Sequence, residues 1–98
     1  MKIKFSSISK IIQDAKRGKM FVLVDDESRE NEGDLIIPAS KASPKSINFM
    51  AKYGRGLICL ALNRLQVNKL NLSLMSASNN SRTQTAFTIS IEAKSGVT

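Results

Sequence analysis

The sequence predicts an α+β fold, a mixed α/β arrangement with helices packed on a mixed β-sheet around one core. Three observations carry that expectation. Ninety-eight residues, 42% of them apolar, suffice for one domain with a modest core. Short apolar runs of strand length recur at 20–25, 34–38, 57–62 and 85–92. Between them, apolar residues return at helical spacing.

Ile8, Ile11, Ile12 and Ala15 form the stripe of an amphipathic helix, with Ser6 or Ser7 as N-cap and Gly18 as its stop. Met20 to Asp25 reads as a buried strand, and Asp34 to Pro38 as a second strand closed by its proline. Ser43-Pro44 marks a helix start, Ile47, Met50 and Ala51 its core face, and Gly54 and Gly56 its end. Leu57 to Leu62 reads as a third strand, and a brief helix follows from Asn63 or Arg64 to Leu70. The stretch from Leu72 to Gln84, rich in Ser and Asn, reads as a loop. Thr85 to Glu92 is the clearest strand, with Phe87, Ile89 and Ile91 on one face and Thr88, Ser90 and Glu92 on the other. Lys94 to Thr98 reads as an interrupted loop.

Charge is distributed unevenly. Six of the eight acidic residues lie between Asp25 and Asp34, whereas all but one of the 15 Lys and Arg residues lie outside that window. The exception is Arg29. Carboxylates this crowded repel one another unless a cation, an arginine or full hydration offsets the repulsion. Two readings follow. The run is a solvated acidic turn, or it is a site at a sheet edge, since apolar strands abut it on both sides. Glu30, Glu32 and Asp34 alternate, so on extended backbone they would share a face, with Arg29 and Asn31 on the other. Gly33 would allow a turn that brings the three acids together. Magnesium is suited to such oxygen donors and would stabilise an enediolate on a sugar, while a neighbouring carboxylate moves protons. Arg29 suits a phosphate or a diol.

Other features narrow the function. A net charge of +7 is spread along the chain, with no Trp and a single Tyr, so base-stacking interleaving is missing and nucleic-acid binding is not expected. One cysteine, Cys59, fits a reducing compartment. No apolar run reaches the ~20 residues of a membrane span, and the first residues lack a signal-peptide core, so a cytoplasmic protein is expected. Cys59 reads either as a small core residue or as a group lining the site, and with no histidine in the chain it has no obvious base. Asn79, Asn80, Ser81, Thr83, Thr85 and Thr88 offer neutral donors for phosphate or hydroxyl groups, or simply form a polar turn and strand.

The run Asp25-Asp26-Glu27-Ser28-Arg29-Glu30-Asn31-Glu32-Gly33-Asp34 resembles the signature loop of the 3,4-dihydroxy-2-butanone 4-phosphate synthase family. Tyr53-Gly54-Arg55-Gly56-Leu57-Ile58-Cys59, Asn79-Asn80 with the strand Thr85 to Glu92, and Gly96-Val97-Thr98 resemble further family stretches. Ser78 departs from them, since relatives often carry an acid there. The resemblance implies conversion of D-ribulose 5-phosphate into 3,4-dihydroxy-2-butanone 4-phosphate and formate, with Mg2+ as cofactor and Mn2+ as the alternative ion. It implies Glu30 as metal ligand, Arg29, Glu30 and Asp34 as substrate contacts, and Asp34, Glu32 and Cys59 as the catalytic group. It also implies a homodimer. Family members are roughly twice as long, at the scale of a full α/β domain. By the resemblance, residues 1–98 are the N-terminal portion of a single synthase domain, an incomplete version of its fold. The C-terminal half would bring a histidine metal ligand, a phosphate-gripping basic residue and a second glutamate. A chain lacking these is expected to be inactive alone, or to serve as a non-catalytic module that pairs with a complementary half.

Overall fold

The structure, a computed structural model, describes residues 4–76 and 86–97. It divides into two units, Met1–Leu60 and Ala61–Thr98.

The first unit opens with α1, Ile8–Lys16. The Ser7 hydroxyl accepts from the Lys10 N–H at 3.2 Å, as an N-cap serine should. At the other end, Gly18 (φ 79°) turns the chain left-handed. The N–H groups of Gly18 and Lys19 then return to the carbonyls of Ala15 and Asp14, satisfying the last turn. Strands β1 (Phe21–Val24) and β2 (Gly33–Ile36) pair antiparallel, with Phe21 opposite Ile36 and Val24 opposite Gly33. Directly opposed residues share a face, so Leu23 and Asp34 lie on one face, and Val22, Val24, Gly33 and Leu35 on the other. A Cβ on Gly33 would stand 3.1 Å from Val22, and one on Gly54 3.2 Å from Leu35. The second face is therefore where the strands meet the next segment.

A 3₁₀ turn at Ala39–Lys41 leads to α2, Pro44–Phe49. Its capping box is reciprocal: the Ser43 hydroxyl accepts from the Ser46 N–H, and the Ser46 hydroxyl oxygen accepts from the Ser43 N–H. The helix then widens to a π turn at Met50–Gly54, where Phe49 and Tyr53 stack with ring centroids 4.7 Å apart.

In the second unit, α3 (Arg64–Lys69) carries another reciprocal cap between Asn63 and Gln66. Asn71, with φ 57°, closes it through Leu72 N–H to the Val67 carbonyl and Asn71 N–H to the Asn68 carbonyl. An antiparallel bridge joins Leu74 and Thr88, with Met75 donating to the Phe87 carbonyl at 2.9 Å.

The α+β class and all three helices agree with the sequence. Several details do not. Among the described residues the sheet is two-stranded and antiparallel, not mixed. The run from Leu57 to Leu62 forms no strand, and of the segment expected over Thr85 to Glu92 the described residues, 86–92, contribute only the bridge at Thr88. A strand exists only through a ladder partner: among the described residues Leu57 to Leu62 has none, and the later run has a single bridge, to Leu74. The stop after α2 is Arg55 at φ 60°, between the two glycines proposed for that role. Burial departs most. No described residue is fully buried, and Val22, Leu23, Val24, Ile58 and Leu60 are exposed despite their apolar character. Asn79, Asn80, Ser81, Thr83 and Thr85 lie outside the described residues.

The left-handed position of Gly18 yields a stability prediction. Gly18→Ala should destabilise the chain by about 1 kcal/mol, because an L-residue is strained there. Thermal denaturation of the full chain measures it, and an unchanged midpoint would contradict this account of how α1 ends.

Candidate active site

The acidic run is a hairpin loop. β1 delivers Asp25 and β2 begins at Gly33, so the register places Asp25 opposite Glu32. The Asp25 N–H donates to the Glu32 carbonyl at 3.1 Å, extending the ladder by half a pair. The return bond goes elsewhere: the Glu32 N–H donates to the Asp25 carboxylate, Oδ1, at 2.8 Å. A side chain has taken the place of a ladder carbonyl. Between these ends, the Asp26 carbonyl accepts from the N–H groups of Arg29 and Asn31. The Asp26 carboxylate accepts from the Ser28 N–H at 2.8 Å.

The Asp25 carboxylate gathers two further donors on Oδ2. These are the Glu30 N–H at 3.1 Å and Arg29 Nη1 at 3.0 Å. The same Nη1 lies 2.9 Å from Glu30 Oε1, so one guanidinium nitrogen bridges two carboxylates. Repulsion among the acids is thus offset by an internal arginine, one of the remedies expected from the sequence, and by backbone N–H groups. Exposure follows the bonding. The Asp25 side chain is 21% exposed, against 37% for Glu30 and 52% for Arg29.

These bonds perturb the carboxyl groups. The Asp25 carboxyl is held below its usual 3.8 chiefly by the Glu32 N–H; burial, next in size, opposes it, and the Glu30 N–H and Arg29 lower it further. Asp26 is held below 3.8 chiefly by the Ser28 backbone N–H and then by the Ser28 hydroxyl, again against burial.

Arg29 and Glu30 are brought together as the sequence suggested. The shared face of Glu30, Glu32 and Asp34 is not formed, because Asn31 adopts φ 53° and interrupts the extended backbone. The turn thus falls at Asn31, an asparagine that tolerates left-handed backbone, and Gly33 begins β2 instead. Among the described residues, neither the Glu32 nor the Asp34 carboxylate takes part in an ion pair. Nor do three His, Cys, Asp or Glu side chains converge as a metal cage. Cys59 is exposed rather than a core residue, its thiol 3.8 Å from the Leu57 carbonyl. Thr88 spends its hydroxyl on the Ile89 carbonyl at 2.9 Å. No helix among the described residues is long and apolar enough to cross a membrane.

Asp25 is the residue that sequence reasoning missed. Its signal is positional: the last residue before a hairpin loop is opposed by the first after it, and an aspartate there can accept backbone donors from the far side.

Comparison with known proteins places this loop among related ones. Residues 9–98 match the family model described as 3,4-dihydroxy-2-butanone 4-phosphate synthase. A protein of that name from Photobacterium phosphoreum is 58% identical over 93 residues, covering 95% of this chain and 26% of the relative. One from Campylobacter jejuni is 47% identical over 96 residues, covering 98% and 28%. The crystal structure of RibBX, a two-domain 3,4-dihydroxy-2-butanone 4-phosphate synthase from A. baumannii, aligns with a TM-score of 0.73 at 47% identity. That alignment covers 80% of this chain and 23% of RibBX. The chain spans about a quarter of the length of the curated relatives it matches.

A pH prediction follows from the two aspartates. Their folded-state values are lowered, so the stability they contribute is present above pH 3.8 and lost as pH falls through the lower folded values. Carbon-13 NMR of the side-chain carboxyls should show both titrating below 3.8, with loop order lost over the same range. Titration of both at or above 3.8 would contradict the bonding described.

Proposed function

The chain belongs to the 3,4-dihydroxy-2-butanone 4-phosphate synthase family, and on that premise we propose that it supplies part of the active site of a lyase of riboflavin biosynthesis. The reaction is conversion of D-ribulose 5-phosphate into 3,4-dihydroxy-2-butanone 4-phosphate and formate, dependent on magnesium, with manganese as the alternative ion. The observation that carries this reading is the Arg29–Glu30 pair, a guanidinium and a carboxylate 2.9 Å apart on an exposed loop within the family-matched residues.

The donor set fits a hard cation. Magnesium is commonly held by one or two carboxylates, with substrate oxygens and water completing its shell. Glu30 offers such a carboxylate, partly exposed and tied only to an exchangeable arginine. Bound there, the ion would supply positive charge to oxygens that become anionic during the reaction. Glu30 and Arg29 contact the sugar phosphate. Arg29 keeps its Nε and Nη2 donors for phosphate or diol oxygens, while Nη1 stays on the Asp25 carboxylate. Asp34, exposed on β2, binds substrate and carries a proton to or from it. Glu32 and Cys59 complete the catalytic set.

The exposed apolar residues of β1 and of the run after Gly56 support a site finished by further polypeptide. That polypeptide is a second copy in a homodimer, or the C-terminal remainder of a synthase domain of which residues 1–98 form the N-terminal portion. The same exposure favours the second reading, a non-catalytic module that docks on a partner. A phosphorylated sugar substrate and a single cysteine suit the cytoplasm.

In a full-length synthase carrying this segment, Glu30→Gln should lower magnesium-dependent formate release by about 100-fold or more, without altering the circular dichroism spectrum. Retained activity would remove Glu30 from the metal site. The 98-residue chain alone should release no measurable formate from ribulose 5-phosphate with magnesium, and robust turnover by it would overturn the proposal that the site needs further polypeptide.

A further inference from the structure

The Asp25 carboxylate is spent on the loop. A carboxylate has about four lone-pair directions, and described donors occupy three of those on Asp25: the Glu32 N–H, the Glu30 N–H and Arg29 Nη1. It is also the least exposed of the three charged side chains that meet here. A cation entering at Asp25 would compete with two backbone donors as well as an arginine, with one lone-pair direction left open. At Glu30 it would compete with the arginine alone. The two acids therefore differ in kind, although both belong to one charged run.

We propose that Asp25 is the positioning residue of this site, fixing where the Arg29 guanidinium and the Glu30 carboxylate stand for the cation and the sugar phosphate. The inference rests on the reading of Arg29 and Glu30 given above and adds to it the residue through which they are placed. Three connections support it. The bond to the Glu30 N–H fixes the backbone of the proposed metal ligand. The bond to the Glu32 N–H clamps the far side of the loop across the hairpin, so the strand register is carried into the site. The bond to Arg29 retains the guanidinium when Glu30 turns to a cation, so the arginine stays beside the substrate. Asp26 does none of this, since its carboxylate serves Ser28 within the turn.

Asp25→Asn preserves the shape and one acceptor oxygen while removing the charge. Asp25→Glu restores the charge on a longer arm. The test is NMR on the full chain, following the amides of Glu30 and Glu32, with magnesium alone as the metal probe. In the wild type both amide resonances should move with one shared carboxyl titration. In Asp25→Asn that titration should vanish, and exchange of both amides should rise about tenfold or more, while amides in α1, α2 and α3 keep their rates. Asp25→Glu should recover part of the shared titration. Magnesium should shift the Glu30 amide of the wild type, and about tenfold more should be needed in Asp25→Asn. Wild-type behaviour of both amides in Asp25→Asn overturns the proposal, as does an equal loss of protection throughout the helices, which would make Asp25 merely structural. If the wild-type Glu30 amide ignores magnesium, the metal assignment of Glu30 fails, while the amide titration and exchange still decide whether Asp25 places Arg29 and Glu30.

Discussion

The site depends on one carboxylate accepting hydrogen bonds across a hairpin. Asp25 follows β1 directly, and its side chain accepts from the N–H of Glu32, which a regular ladder would have sent to a backbone carbonyl. That exchange turns a generic acidic loop into a defined one. It also explains how so many acids coexist. The loop neutralises its most enclosed carboxylate with backbone dipoles and an arginine, and leaves the others towards solvent. Internal neutralisation and hydration act together here, on different residues.

The consequence for chemistry is a division of labour. Asp25 and Asp26 hold the turn, and those bonds keep both carboxyl groups below the usual carboxylate range. Glu30, Glu32 and Asp34 carry fewer obligations, and only Glu30 is paired, with an arginine that is itself anchored. A carboxylate with one exchangeable partner can turn to a divalent ion at little structural cost. An anchored guanidinium can receive an anionic sugar without leaving the loop. Asn31 marks the change between the two parts, because its left-handed backbone separates Glu30 from Glu32 and aims them differently.

Much of this was legible in the sequence where the controlling interactions are local. Ser7, Ser43 and Asn63 cap helices within three residues of themselves, and Gly18 stops α1 one residue past its cap. Those signals depend on nothing distant. The apolar runs were harder. Phe21 to Val24 forms a strand because β2 returns beside it, whereas Leu57 to Leu62 is also a short apolar run but has no ladder among the described residues. Composition states that a run wants burial, not whether a partner is at hand. The resemblance to the synthase family was carried by four stretches, the ten-residue run from Asp25 to Asp34 first among them, and matching over residues 9–98 agrees with it. Arg29 and Glu30 were visible as a charged pair, but Asp25 was not, since its partners lie five and seven residues away and include backbone. Arg55 in a left-handed conformation was equally hidden between two glycines better suited to it.

The most direct measurement is a crystal structure of a complete synthase carrying this segment, bound to ribulose 5-phosphate and magnesium. The account requires the Glu30 carboxylate to have left Arg29 for the metal, the Arg29 guanidinium to bridge Asp25 and the sugar phosphate, and the Asp25 carboxylate to keep the N–H groups of Glu30 and Glu32. Metal and sugar bound elsewhere, with Glu30 still paired to Arg29, would contradict it.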